Sequence, residues 1–420
     1  MPKRHAWQIT VVLLLSIAGL ALYLALALRH IEPFTTTVYK GPLGADTLNG
    51  AEAYAKLKYE WKHPLMSPVT AGATALFRLI PGFDRSLAIA GGVVLLAALN
   101  MLLCALVLRR LLGDPAAAML GTVLYALLFT NLNVLAVTDS YTVSSLAVWL
   151  FLLAWVTKPE TGTARPWTRL GPLAGVAGLC NPPLLTLVGL PAMRTLLAGR
   201  LRHAIIIGLA TGTIALALVL AVVLTHSTLK WGTPWAYFTR SAGYTEHYSG
   251  LKHVTRFRYL SNVVSCFLLF AVASPINSIP GHNLNRLAAA RYLEDVGGLV
   301  ALAAVALILG GAAASLFGRY WRTALPLAAW IAAMAVFYTF FNPADAMLYS
   351  TQVQGVLAVL ACLGFASHTR GPRTLYLLLA TAVLLLALRN LPIVLLAPYG
   401  FEFCYAPSPL RAGIDQHHCP

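Results

Sequence analysis

The sequence predicts an all-α fold, a polytopic bundle of transmembrane helices, and three observations lead there. Hydrophobic residues fill 59% of the 420 positions and charged residues only 10%, too few to solvate the surface of a water-soluble globule. Apolar runs of about 20 residues recur along the whole chain, the length that crosses a hydrocarbon core. Such runs must be helical in lipid, where every backbone N–H and C=O has to find its partner within the segment. Finally, the cations gather at the ends of these runs, in alternate connections.

A net charge of +16 invites a nucleic-acid reading, which the placement of the charges removes. Lys3/Arg4, Arg109/Arg110, Lys158/Arg165/Arg169, Arg200/Arg202, Arg319/Arg322 and Arg370/Arg373 occupy every second loop, the positive-inside pattern of cytoplasmic connections. Of the 14 acids, only Asp114 and Glu160 fall on that side.

With those loops as fixed points, helices are expected near 7–28, 84–110, 115–132, 140–157, 170–181, 183–198, 203–225, 296–317, 322–341, 346–366 and 373–397. These make about eleven crossings of one transmembrane domain, 1–420, with the N-terminus cytoplasmic and the C-terminus outside. The basic start and the long apolar run Trp7 to Leu28 read as an uncleaved anchor rather than a signal peptide. Cys180-Asn181-Pro182-Pro183 forbids a continuous helix and marks a turn in the outer leaflet.

Two long outer loops, 29–83 and 226–295, and the outer tail 398–420 hold most of the polar residues. Interfacial helices are expected in both loops. Ala51 to Trp61 would run along the surface with Glu52 and Lys56 as an i, i+4 pair, and His63 to Leu79 would follow with Leu65, Val69, Leu76 and Leu79 on one face. The apolar core Val263 to Ala273 is too short to span comfortably and is expected to be re-entrant or interfacial. Cys104, Cys180, Cys266 and Cys362 lie in apolar context and are expected in the core, whereas Cys404 and Cys419 are candidates for a disulfide in the outer tail.

The candidate chemistry lies on the outer side. Asp46 follows the first helix among Gly41, Pro42, Gly44 and Gly50, which let the chain fold back over the membrane surface. Asp139, in Thr138-Asp-Ser-Tyr, opens a helix directed inward, where an acid both caps the helix and lies level with the outer loop. His63 before Pro64 either orients a carboxylate or phosphate or simply starts the surface helix. In the loop 226–260, aromatic residues precede Lys252, His253, Arg256 and Arg258, cations suited to a lipid phosphate. Arg389 interrupts the last apolar run near its outer end, a costly place for a charge without a partner. No Walker loop, GxGxxG, HExxH, CxxC or GxSxG motif occurs, and His417-His418 near Asp415 is only a weak metal signal.

In their order these parts resemble the GT-C glycosyltransferases, multi-spanning enzymes that include protein O-mannosyltransferases and the lipid A aminoarabinose transferase. The resemblance covers residues 1 to about 225 best. Asp46 in GADT resembles the family's catalytic Asp, His63-Pro64-Leu65 its His-Pro or Lys-Pro-Pro element, and Arg109-Arg110-Leu111-Leu112-Gly113 its Arg-Arg-Leu-Phe-Gly. Asp139 resembles the acid at the start of the fourth helix, and Gly178-Leu179-Cys180-Asn181-Pro182 the family's helix break. The second half, with Asn342-Pro343-Ala344-Asp345 and Tyr349, agrees in general layout. The sequence departs in having a single Asp46 followed by Thr47 where the family has an acidic pair, and Asn181 where it has a lysine.

The resemblance implies a membrane glycosyltransferase that moves a sugar from a polyprenyl-phosphate carrier to an acceptor on the outer face, with inversion. Asp46 would be the general base and Asp139 a second catalytic carboxylate. Glu52, His63, Lys252, His253, Arg256, Arg258, Tyr349 and Arg389 would be substrate-binding candidates. The partners would be membrane lipid, the lipid-linked donor and a glycan, lipid or protein acceptor, in a bacterial plasma membrane, with neither a metal nor a cofactor. The competing class is a flippase for lipid-linked sugars or a small-solute transporter, which calls for ionisable residues near mid-bilayer and related halves.

Overall fold

The computed structural model describes residues 19, 21–28, 53–57, 63–157, 166–248, 263–276, 289–341 and 346–396. Asp46, Glu52, Lys252, His253, Arg256, Arg258, Asp345, Cys404 and Cys419 lie outside these residues, as does the tail 398–420. The regular elements described are all helices. After helical residues at 21–28 come, in chain order, α1 (Met66–Arg78), α2 (Arg85–Leu112), α3 (Pro115–Leu127), α4 (Phe129–Val134), α5 (Ser140–Thr157), α6 (Trp167–Cys180), α7 (Gly189–Leu197), α8 (Leu201–Trp231), α9 (Ala236–Tyr248), α10 (Val296–Ser315), α11 (Trp321–Phe340), α12 (Ala346–His368) and α13 (Pro372–Leu396), with short 3-10 helices at Pro182–Val188 and Ala289–Leu293. Among the described residues, seven helices are long and apolar enough to cross a membrane. The chain is thus an integral membrane protein built as a helical bundle. Helices α3, α6 and α7 stand where crossings were expected but are shorter than a span.

Acids ahead of the apolar runs start several helices. Asp84 Oδ1 accepts from Leu87 N at 2.7 Å, Asp114 Oδ1 from Ala116 N and Ala117 N at 2.9 and 3.2 Å, and Asp295 Oδ1 from Gly298 N. Helix α12 is the axis of the bundle, buried throughout its apolar length and packed against α10, α11, α5 and α4. Its closest neighbour is α10, where a Cβ on Gly364 would sit 1.7 Å from the Gly311 carbonyl oxygen. Only glycine allows the two backbones this approach. The four cysteines expected in the core are buried and free.

Two expectations change in detail. The helix expected over 115–132 breaks at Leu128, which is extended (φ −58°, ψ 136°). The amides of Phe129 and Thr130 leave the helix and donate to the carbonyls of Val272 and Ala271, both at 3.1 Å. Side chains take the helical carbonyls so released: Asn131 bonds Tyr125 O at 2.7 Å, Tyr23 bonds Ala126 O at 3.1 Å and Asn390 bonds Leu127 O at 2.8 Å. The break therefore exists to receive the segment 263–276. That segment, expected to be re-entrant or interfacial, is largely buried inside protein, with Val264 exposed and a π-helical turn at Cys266–Phe270. Gln354 bonds its Phe267 carbonyl at 2.7 Å, Tyr292 its Ala273 carbonyl at 2.9 Å and Asn390 its Val272 carbonyl at 2.9 Å. Irregular backbone survives within a membrane protein when other side chains satisfy it in this way.

The second change concerns α1. It packs on α2 and buries Met66, Ser67, Thr70, Ala73 and Thr74, whereas Leu76 and Leu79 of the expected apolar face are 58% and 80% exposed. The inward face is made of small and hydroxylated residues because it also holds the segment before it. Ser67 and Thr70 hydroxyls donate to the carbonyls of Lys56 and Ala53 at 3.2 Å, and Arg78 Nη2 donates to Ala55 O at 2.6 Å. Only part of the expected surface helix 51–61 is described, as a single turn at 53–55.

Candidate active site

The site begins at the helix break. Pro182 and Pro183 carry no N–H, so the carbonyls at the end of α6 lose their i+4 donors. Asn181 is extended (φ −157°, ψ 118°), and Leu184 N turns to the Asn181 carbonyl at 2.9 Å instead of to Cys180. The Cys180 carbonyl is then taken by His63, whose Nδ1 lies 2.7 Å away, and by Ser144 Oγ at 3.4 Å. A carbonyl only accepts, so the Nδ1 of His63 carries the proton and the tautomer of the neutral ring is set.

Asp139 lies beside this junction and is 2% exposed. It caps α5 as expected: Oδ1 accepts from Tyr141 N at 3.0 Å and from Ser140 Oγ at 3.2 Å. Tyr54 comes from the connection ahead of α1 and is fully buried close by. Burial first, and the Asp139 charge second, push its phenol well above the ordinary value. Its hydroxyl makes no hydrogen bond among the described residues.

A chain of rings leads away from His63. The imidazole meets Tyr141 edge to face at 6.3 Å, Tyr141 meets Tyr349 edge to face at 5.4 Å, and Tyr349 stacks on Tyr338 at 4.1 Å and 13°. Tyr338 also touches Phe267 at 5.7 Å and accepts a hydrogen bond from Asn181 Nδ2 at 3.1 Å. Thus the start of α1, the start of α5, the break after α6, the end of α11 and the start of α12 converge. Three candidates from the sequence, His63, Asp139 and Tyr349, belong to one cluster.

Arg389 belongs to another. Its Nε donates to Ser274 O at 2.6 Å, and Asp295 and Tyr292 sit within electrostatic reach. The guanidinium lies over the start of α10, where a Cβ on Gly297 would come within 2.2 Å of Nη1. The segment 263–276 separates the two clusters, with Phe267 facing Tyr338 and Ser274 holding Arg389.

Tyr54, Tyr141, Tyr338 and Gln352 were not singled out from the sequence. The signal for Gln352 was present in the polar run Ser350-Thr-Gln-Val-Gln354 inside an otherwise apolar helix. Tyr54 and Tyr338 are tyrosines among many, marked only by the tertiary contacts they make. Chemically, the cluster offers a carboxylate to oppose developing positive charge, an imidazole of set tautomer and a wall of hydroxylated rings. Among the described residues, no group of three or more His, Cys, Asp or Glu gathers as a metal would require.

No family model matches the sequence, and no curated protein matches it significantly. Solved structures do. The chain superposes on ArnT from Cupriavidus metallidurans bound to undecaprenyl phosphate with a TM-score of 0.52 and 16% identity, covering 84% of this chain and 60% of that one. It aligns more loosely with the oligosaccharyltransferase of Archaeoglobus fulgidus, at a TM-score of 0.47 and 17% identity over 91% of this chain and 52% of that one. The chain spans about three-fifths of the length of the ArnT it matches. ArnT is a lipid A aminoarabinose transferase of the GT-C fold, and the likeness to it shows that this chain shares the fold of that structure over the matched residues.

Proposed function

We propose that the protein is a membrane glycosyltransferase. It takes a sugar from a polyprenyl-phosphate carrier and delivers it to an acceptor hydroxyl on the outer face, with inversion at the anomeric carbon. The observation that carries this reading is the convergence of Asp139, His63 and Tyr349 at the Pro182–Pro183 break, in a fold shared with a structure that holds undecaprenyl phosphate.

The acceptor oxygen attacks the anomeric carbon as the bond to the phosphate oxygen breaks, and the polyprenyl phosphate departs with the electron pair. Asp46 takes the acceptor proton as general base. Asp139 stabilises the oxocarbenium-like sugar, and His63 with the loop cations Lys252, His253, Arg256 and Arg258 holds the departing phosphate. Glu52 and Tyr349 contribute to substrate binding, and Arg389 does so from the neighbouring cluster. The displacement is redox-neutral, and the proposal includes no cofactor beyond the lipid-linked donor. The chain works as one transmembrane domain of about eleven crossings, with the site on the non-cytoplasmic side of a bacterial plasma membrane.

The discriminating observation against a transporter is the position of the buried charges. Among the described residues, those buried are Asp139, at a helix start, and Arg389, near a helix end. The test is transfer of labelled sugar from polyprenyl-phosphate donors by the purified protein. Asp46→Asn folds normally and transfers nothing; undiminished transfer by that variant refutes the base assignment, and lipid translocation without transfer favours the flippase.

A further inference from the structure

Resting on that reading, we infer that Gln352 forms, with Tyr338 and Tyr349, a subsite that recognises the neutral hydroxyl groups of the donor sugar. Gln352 lies on the axial helix α12, three residues after Tyr349 and so on the same face. It is 1% exposed, yet neither its amide nitrogen nor its amide oxygen has a hydrogen-bond partner among the described residues. The Tyr338 hydroxyl lies within interaction reach of this amide, though not in hydrogen-bonding geometry, and already accepts from Asn181 Nδ2.

Elsewhere in the core the comparable amides are engaged on at least one atom. Gln354, two residues on, bonds the Phe267 carbonyl, Asn390 bonds Leu127 and Val272, and Asn100 bonds Leu96 and Thr142. Burying an amide without any partner is unfavourable, and an apolar side chain of the same length would avoid it. A position that keeps such a group next to the candidate site is explained by a ligand that supplies the partners.

The chemistry of the group selects the ligand. A carboxamide offers two N–H donors and one oxygen acceptor with no charge, which matches adjacent sugar hydroxyls, each both donor and acceptor. It is a poor match for a phosphate, which needs cations or an array of donors. The flanking tyrosine rings add flat apolar surface and further hydroxyls, the mix that fixes a small polar ring in a pocket.

The experiment measures binding to the full-length protein in detergent. The probes are undecaprenyl phosphate and undecaprenyl phosphates carrying a hexose, an N-acetylhexosamine or a pentose. Wild type binds at least one sugar-bearing lipid about tenfold more tightly than undecaprenyl phosphate, as one or two recovered hydrogen bonds require. Gln352→Met keeps the affinity for undecaprenyl phosphate and the unfolding temperature but loses the sugar-dependent increment. Gln352→Asn, which keeps the amide and withdraws it by one methylene, loses most of the increment and serves if the methionine variant fails to fold. Equal discrimination in wild type and these variants overturns the inference, as does a wild type that binds no sugar-bearing lipid more tightly than undecaprenyl phosphate. Failure to bind any polyprenyl phosphate instead strikes the proposed function itself.

Discussion

The His63 imidazole closes the gap that two prolines open: Nδ1 reaches the Cys180 carbonyl across 2.7 Å, joining the connection ahead of α1 to a helix break 117 residues further on. The contact ties the loop that carries Asp46 to the bundle. It also makes His63 structural as well as a candidate for phosphate binding, and the two roles give separable readouts.

Replacing His63 by Ala leaves the Cys180 carbonyl, among the described residues, with the weaker Ser144 bond and removes the ring from Tyr141. The expected cost is about 1–3 kcal/mol. It appears as a lower midpoint in thermal unfolding, together with loss of sugar transfer. Full activity in a destabilised His63→Ala variant would leave the residue with the structural role alone.

For Asp139 the cap and the charge are separated by the choice of substitution. Asn caps a helix as well as Asp, whereas Ala costs about 1 kcal/mol at such a position. Asp139→Asn should therefore unfold with wild-type stability and transfer sugar at least tenfold more slowly, while Asp139→Ala loses both. An Asn variant of normal turnover assigns the carboxylate to capping.

Arg389 and Gly297 are expected to behave as a pair. A methyl group at 297 meets the guanidinium Nη1, so Gly297→Ala displaces Arg389 from Ser274 and Asp295. Each single substitution, Gly297→Ala or Arg389→Ala, should lower stability by about 1–3 kcal/mol, and the double variant by clearly less than their sum. Additive losses in the double-mutant cycle contradict the contact.

Tyr54→Phe removes a buried hydroxyl that has no partner among the described residues. Since no hydrogen bond is lost and a desolvated polar group disappears, stability should stay within about 0.5 kcal/mol of wild type or rise. A drop of more than about 1 kcal/mol, measured by denaturation at fixed detergent concentration, shows that the hydroxyl is satisfied in the membrane-embedded protein.

The bundle was legible because hydropathy and charge act locally. Arg109 and Arg110 end α2 where the positive-inside pattern placed a loop, and the prolines at 182 and 183 stop α6 where no donor remains. What escaped was set by distant partners. Nothing local marks Leu128 as a break, since the reason lies in the carbonyls of Ala271 and Val272. Nor does the apolar pattern of α1 reveal that its small residues face inward, because hydroxyl bonds to Ala53 and Lys56 decide it. Of the site, the charged members stood out as rare groups in an apolar chain. Tyr338 and Gln352 acquire meaning only when α11 and α12 come together.

The most direct test of the central claim is a structure of the protein with undecaprenyl phosphate bound. The account predicts phosphate density at the cluster of His63, Asp139 and Tyr349, with the Asp46 carboxylate facing the same cavity. A headgroup bound at the opposite end of the bundle, or an Asp46 side chain pointing into bulk solvent away from any cavity, contradicts it.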